Sequence, residues 1–406
     1  MLSLSLRHTL VLASLAALSS TALAQHDGHD HGKATGGESQ KAPDTAAKDA
    51  DQPKAPIPST MITDPNIHPI EHLRRDAALV MPTIQSPSVR QFLFNTNWLT
   101  YMEETRAVYY NKATRDAKTP DEFNALAKEQ REGFELVNLD QKFYYHTRYG
   151  SPHAYARALD LVCQAASTDG TCFGPGKRVF DFGCGGIVQL RLLASSGMHA
   201  VGVDVDPLLR AFFRNPEDVG VVNGAEESIT GSAQVEYGSW PGDAKIKNAV
   251  GANFDFIISK NTLKKGYIQP AKPVDERMLV KLGVSNEVFI KELFDALKPG
   301  GFMIIYNICP AQNPEKYIPW ADGTSPFTKA QWEKAGFSVV AFDKEDQDGV
   351  KALAKALGWN VGESPMDIEK DLFAWYTILQ RPKAEEKPAA NADAKTTPAA
   401  RPAVKK

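Results

Sequence analysis

Between residues 178 and 380 the apolar positions come in short runs, each followed by an amphipathic stretch. The runs predict strands at 178–182, 199–204, 233–237, 254–259, 301–307, 336–343 and 371–379. Helices are predicted at about 187–196, 206–213, 285–297, 328–334 and 347–357. Strands alternating with helices argue for a parallel sheet wound on both faces. Between the first strand and the first helix the chain turns through Gly183, Cys184, Gly185 and Gly186, and the second strand ends on Asp204. Glycines let backbone approach a ligand closely, and an acid about 20 residues beyond such a turn can hold a ribose diol.

Upstream the pattern is helical. Residues 70 to 166 read mostly as helices, with Phe92, Phe94, Trp98, Tyr101 and Met102 at roughly helical spacing. Thr119-Pro-Asp-Glu122 is a helix start, with Thr119 as cap and Pro120 in the first turn. The helix it opens is expected to carry Phe123, Leu126, Phe134 and Leu136. An aromatic stretch from Phe143 to Pro152 leads into an amphipathic helix, His153 to Ala166, bearing Tyr155, Leu159, Leu161 and Val162. The long irregular stretch Tyr267 to Val284 suits a lid or a substrate loop.

The two ends differ in composition from everything between them. Arg7 and His8 precede the apolar run Leu10 to Leu18, and Thr21-Ala-Leu-Ala24 is a small-x-small cleavage site. Residues 1–24 are therefore expected to be a signal peptide, cut between Ala24 and Gln25, and the protein to be exported, to a periplasm. Residues 25–60 are rich in Ala, Lys, Asp, Gly, Pro and His and hold too little apolar surface to order themselves. Within them His26, His29 and His31 alternate with acids and can be read as a metal-capturing tract or as a solvated tether. Residues 383–406 have a similar Ala/Lys/Pro composition and read as a second tail. This leaves a helical N-terminal segment, 61–150, and a sheet domain, 151–382.

Charge and cysteines narrow the function class. The formal net charge is -3, so no basic excess points to nucleic acid. No stretch after the leader has 18 uninterrupted apolar residues, so no transmembrane segment is expected in the mature chain. Of four cysteines, Cys163 and Cys172 lie nine positions apart. In an oxidising compartment they can pair, or stand as two free thiols. There is no Cys-x-x-Cys pair and no phosphate loop ending in Gly-Lys-Ser/Thr, and no metal site is expected in the sheet domain.

Five stretches together resemble a known family. Val179-Phe-Asp-Phe-Gly-Cys-Gly-Gly186 is similar to the first motif of class I S-adenosylmethionine (SAM)-dependent methyltransferases, and Gly202-Val-Asp-Val-Asp-Pro207 to their second. Phe254-Asp-Phe-Ile-Ile-Ser259 resembles the fourth-strand motif, and Leu297-Lys-Pro-Gly-Gly301 the turn before the fifth strand. Phe327 to Phe337 is similar to the late helix and strand. The resemblance implies a Rossmann-like, seven-stranded, mostly parallel sheet whose last strand is antiparallel, with SAM as cofactor. It implies that Asp181, Gly183, Cys184, Gly185 and Gly186 shape the pocket for the amino-acid end of SAM, and that Asp204 accepts hydrogen bonds from the ribose. Asp206 is a second candidate for the ribose, or a helix cap.

Two departures stand out. Ile187 occupies the third glycine position of the usual loop, where a branched side chain can crowd the ligand or shift the turn. After the third strand no acid follows at once, so Ser239, Trp240 or Asp243 is expected near the adenine, with Trp240 stacking on it or packed in the core. Asn261, at the fourth-strand exit, is expected to orient the acceptor or to bond within the loop. Tyr149 and His146 are expected at the pocket or in an aromatic core. Tyr306 and Asn307, at the fifth-strand exit, are weaker candidates of the same kind. Lys260, Lys264 and Lys265 form a basic cluster, read as a solvated helix face or as a contact for an anionic substrate. Two functions follow: methyl transfer to an unidentified acceptor, or a non-catalytic exported binding protein on the same scaffold.

Overall fold

The structure, a computed structural model, describes residues 67–383 apart from 103, 148, 149, 227, 363 and 364. The leader, the tract holding His26, His29 and His31, the tail beyond Lys383 and Tyr149 lie outside the described residues.

The N-terminal segment is helical, as expected, and also carries a small sheet. Two helices, α1 (Pro69–Val80) and α2 (Pro87–Phe94), each begin on a proline, where the missing N–H is harmless. They are followed by an antiparallel sheet of β1 (Arg106–Asn111), β2 (Asp116–Lys118) and β3 (Phe134–Leu139), in the order β2-β1-β3. Thr119 does open a helix, with a full capping box to Glu122, but α3 (Pro120–Ala125) is only six residues long. Gly133, at φ +79°, turns the chain into β3. Phe134 and Leu136 thus belong to a strand, correcting their assignment to the helix from Thr119. Next come α4 (Gln141–Tyr145) and α5 (Tyr155–Ala166). Cys163 and Cys172 form a disulfide that ties the end of α5 to the loop entering the main sheet, while Cys184 and Cys309 are free and buried.

All seven predicted strands are present, and the helices between them fall within a few residues of their predicted bounds. In chain order these are β4 (Arg178–Phe182), α6 (Val188–Ala194), β5 (His199–Asp204), α7 (Pro207–Phe212), β6 (Gly220–Asn223) and β7 (Thr230–Tyr237). There follow α8 (Ala244–Val250), β8 (Phe254–Lys260), α9 (Lys265–Ile268), α10 (Asn286–Ala296), β9 (Leu297–Cys309), α11 (Lys329–Lys334), β10 (Ser338–Glu345), α12 (Gln347–Ala356) and β11 (Phe373–Gln380). The sheet order is β10-β11-β9-β8-β4-β5-β7-β6, so it has eight strands rather than seven. The added strand is β6, which pairs antiparallel with β7 at one edge. At the other edge β11 runs antiparallel between β9 and β10, as the resemblance implies. Strand order reverses between β4 and β8, and in sheets of this kind the crevice at the carboxyl ends beside such a reversal receives the ligand.

Alternation along β4 divides the core. Phe180 and Phe182 face one cluster with Trp240, Phe254, Phe289 and Trp332. Val179 faces the other, where the N-terminal segment and α12 pack against Phe256, Ile258, Ile304 and Tyr306. Asp181 points the same way as Val179, and is therefore buried under the N-terminal layer rather than under α10.

That layer is fastened by a buried ionic network. Arg157 on α5 grips Asp346 through Nε and Nη2 at 2.8 and 2.7 Å, and reaches Asp160 through Nη1 at 3.0 Å. Asp160 accepts the Ser86 N–H at 2.8 Å, and Tyr306 on β9 donates to Asp346 at 2.9 Å. Tyr306 is thus a fastening residue of the core, where a pocket role was considered.

Candidate functional site

The turn after β4 has the backbone its glycines permit, with Gly183 at φ +76° and Gly185 at φ +63°. Asp204, at the end of β5 and 9% exposed, reaches across to it. One carboxylate oxygen accepts the Gly185 N–H at 2.8 Å and the other the Asp206 N–H at 2.9 Å. A carboxylate has about four acceptor positions, so two remain for a diol. Burial, with Asp206 adding its charge, pushes the Asp204 carboxyl up to about 6. Asp206 accepts the Leu208 N–H at 2.9 Å and caps α7, the second of its two readings.

Ile187 does not crowd the turn. It is fully buried, and its side chain joins the core under the N-terminal layer. The close approaches come from elsewhere. Thr262 sits over Gly183, where a Cβ would lie 2.2 Å from its hydroxyl. The backbone of His146 and Thr147 lies over Gly186, where a Cβ would be 3.1 and 3.2 Å from their atoms. His146 itself bonds through Nδ1 to the Lys142 carbonyl at 2.8 Å, and burial lowers its pKa.

Under the turn lies a polar cluster inside apolar surroundings. Asp181 accepts from the Gln189 amide at 3.1 Å, and that amide also reaches the carbonyls of Cys184 and Gly186 at 2.7 and 3.1 Å. Tyr155 donates to the Cys184 carbonyl at 3.3 Å. Asp181 Oδ1 and Gln189 Oε1 are buried without a hydrogen-bond partner. Burial pushes the Asp181 carboxyl up to about 7 from 3.8. The proton it holds stabilises the fold fully below pH 3.8, and this contribution is lost as the pH rises through about 7. Asp181→Asn keeps the shape without the charge. The variant is expected to gain on the parent by roughly 1–3 kcal/mol between pH 4 and pH 8 in urea unfolding. An unchanged difference between the two pH values would show that ionising Asp181 does not cost the fold.

The basic cluster is not a solvated face. Lys260, the last residue of β8, is 2% exposed, and Lys264 is also buried. Lys264 donates to the carbonyls of Ile308 and Trp320 at 2.7 and 3.1 Å, anchoring the loop above β9. Lys260 lies 5.2 Å from the Tyr155 ring centroid, and burial lowers its pKa to about 8.

The remaining candidates serve the scaffold. Trp240 is buried against Phe180, Phe182 and Phe289, with centroids 5.1, 6.0 and 5.8 Å away, which places it in the core and not on an adenine. Ser239 is half-buried, its carbonyl accepts the Asp243 N–H at 2.7 Å, and Asp243 caps α8. Asn261, at φ +63°, accepts the Ile308 N–H at 2.7 Å, so its side chain is engaged within the exit loop. Asn307 donates to the carbonyls of Leu263 and Gly323, both at 2.9 Å. Beyond these exits, a cavity of about 210 Å³ lies between the irregular stretch after β8 and the loop after β9, lined by Pro273, Val274, Met278, Tyr317, Ile318 and Trp320. Among the described residues no group of three or more His, Cys, Asp or Glu could hold a metal, and no helix is long and apolar enough to cross a membrane.

Gln189 and Tyr155 were not foreseen as site residues, and Lys260 only as a member of the basic cluster. The signal for Gln189 was a polar residue on the buried face of a predicted helix. For Lys260 it was a charge closing a mainly apolar strand.

Comparison with solved structures returns matches at low identity and low TM-score. A SAM-dependent methyltransferase from Geobacter sulfurreducens, in complex with S-adenosyl-L-homocysteine, is 17% identical, with 54% of this chain and 89% of that chain covered and a TM-score of 0.30. The magnesium protoporphyrin IX methyltransferase of Synechocystis PCC 6803, with bound SAM, is 15% identical over 55% of this chain and 78% of that one, at a TM-score of 0.28. The cyclase SpnF is 14% identical over 57% and 83%, at a TM-score of 0.34. No family model matches the chain, and no curated protein matches it.

Proposed function

We propose that the chain is a SAM-dependent methyltransferase that works after export, in a periplasm. The observation that carries this reading is the pair of buried carboxylates, Asp181 and Asp204, on either side of a glycine turn at the strand reversal. Asp204, with two acceptor positions left, would take the ribose hydroxyls. The orphaned oxygens of Asp181 and Gln189 suit the ammonium of an amino-acid group. Bound SAM would supply a methyl group on a sulfonium, already activated, so the protein has to align the acceptor and exclude water. Thr262 and the His146–Thr147 backbone close over the turn and exclude water. Asn261 holds the β8 exit to β9 and so sets the path by which an acceptor enters. The cavity between the two loops would take an acceptor with an apolar or aromatic body.

A second reading is an exported binding protein without catalysis on the same scaffold. It is favoured by the close cover that Thr262 and the His146–Thr147 backbone already give Gly183 and Gly186. Calorimetry with SAM and S-adenosylhomocysteine separates the two. The methyltransferase reading expects one site per chain for both. Well-folded protein that takes up neither would overturn it in favour of the second.

A further inference from the structure

The cavity between the loop after β8 and the loop after β9 has walls that are already built. Gly266 lies so close to the Pro319 carbonyl that a Cβ there would be 1.8 Å from its oxygen. The Tyr317 hydroxyl donates to Asp322 at 2.7 Å and accepts the Ala271 N–H at 3.2 Å, which joins the two loops. Gln312 holds Ile318 by both its backbone groups, at 2.6 and 3.1 Å. Lys264, just beyond β8, donates to the Trp320 carbonyl at 3.1 Å. Two residues earlier Thr262 covers Gly183, so the cavity stands at the same end of the sheet as the glycine turn.

The polar side chains of the lining are uneven in kind. Arg277 takes the Asp275 carboxylate through Nε and Nη2, at 3.1 and 2.7 Å. Asn313 Oδ1 accepts the N–H groups of Glu315 and Lys316 at 2.8 and 3.1 Å, and this assigns the other end of its amide as the donor. The Tyr317 hydroxyl is engaged both ways. Among the described residues no hydrogen bond is made by Asn313 Nδ2, Lys316 Nζ or the Trp320 indole N–H. The side-chain groups left over are all donors, and one of them is a cation. Lys316 is exposed and stands at the mouth, while Trp320 is half-buried and Pro319 buried. The matching ligand has its acceptors at the mouth and an apolar body inside. Size narrows it further: an apolar cavity of about 150 Å³ holds benzene, so about 210 Å³ admits one ring with a short side chain.

We propose that this cavity binds a small aromatic carboxylate, with the ring against Tyr317 and Trp320 and the carboxylate on Lys316 and the Asn313 amide. Arg277 already cancels the charge of Asp275, so nothing in the lining opposes an anion. A cationic ligand would meet Lys316 with no carboxylate left to receive it, and a neutral one would leave the three donors without strong acceptors. The inference rests on the function proposed above only for the ligand's role, that of methyl acceptor. The binding itself needs neither SAM nor transfer.

The test is calorimetry on the full chain with 3-phenylpropionate and with its amide, which has the same shape and no charge. Two variants are compared with the parent. Lys316→Met removes the cation at the mouth, and Met278→Trp fills the cavity from the outer turn Glu276–Met278. Lys316 is exposed and Met278 half-buried, so both variants are expected to unfold in urea as the parent does. The parent is expected to bind the acid about 10-fold more tightly than the amide, the lower end for one charge-assisted contact. Lys316→Met is expected to bind the two alike, and Met278→Trp to weaken both by about 10-fold or more. Equal affinity of the parent for acid and amide overturns the anionic ligand. A preference for the acid that survives in Lys316→Met overturns the anchor, and unchanged binding in Met278→Trp overturns the cavity as the site. S-Adenosylhomocysteine is titrated alongside. A parent that binds it but not the acid overturns this proposal and leaves the methyltransferase reading standing. A parent that binds the acid but not S-adenosylhomocysteine upholds the cavity and overturns the methyltransferase reading.

Discussion

Arg106→Ala is expected to cost the fold about 3–5 kcal/mol, the range for removing one partner of a buried ion pair. Arg106 on β1 and Asp218, just after α7, are both buried, and meet through two parallel bonds of 2.5 and 2.9 Å. The same guanidinium donates to the Phe212 carbonyl at 3.1 Å and lies over the rings of Tyr144 and Phe212, 5.5 and 5.3 Å from their centroids. Without it, Asp218 remains fully buried with only backbone support, such as the Asn215 N–H at 3.1 Å. The contrast with a double variant is informative. Arg106→Met with Asp218→Leu removes both charges and is expected to recover most of the loss, because the pair itself contributes little beyond satisfying its own desolvation. Chemical denaturation of the three proteins tests this. A single variant within 1 kcal/mol of the parent would show that Asp218 finds another partner.

Asp204→Ala is expected to weaken SAM binding by about 2–4 kcal/mol, or 30- to 1000-fold. Two losses combine. The ribose loses its acceptors, and the Gly185 N–H, held at 2.8 Å, loses the oxygen that fixes the turn. Asp206→Ala is the matched control. Its carboxylate caps α7, so the variant is expected to lose about 1 kcal/mol of stability and little affinity. Calorimetry and denaturation on both variants separate the roles. Full SAM affinity in Asp204→Ala would refute the ribose assignment.

The main sheet was legible because its strands are apolar on both faces and punctuated by glycine and proline. Val179–Phe182 and Phe254–Ser259 admit few other readings. β6 was missed since Gly220–Asn223 is four residues at an edge, with Val221 exposed, and carries neither a long run nor a clear alternation. The N-terminal sheet was missed for a different reason. A genuine helix start at Thr119 was extended through Gly133, although the alternating burial of Arg106–Asn111 is a strand pattern. At the site, the glycine turn and both acids could be read directly. The engaged amide of Asn261 and the core position of Trp240 could not, because each depends on a neighbour distant in sequence. Lys260 was misread because a lysine is rarely buried; its environment is set by Tyr155, more than 100 residues earlier.

The Arg157–Asp346 contact has a consequence for how the protein is made. Its partners are 189 residues apart in the chain. A nascent polypeptide grows from its N-terminus, so Arg157 emerges long before the aspartate that satisfies it. Until then α5 presents a guanidinium paired only with Asp160 and the apolar face that later meets β9. Native closure of this layer is therefore a late event, of high contact order and slow to form. Were the chain exported as proposed, that delay would be useful: a polypeptide that cannot complete its core before synthesis is nearly finished stays unfolded long enough to be threaded through a membrane.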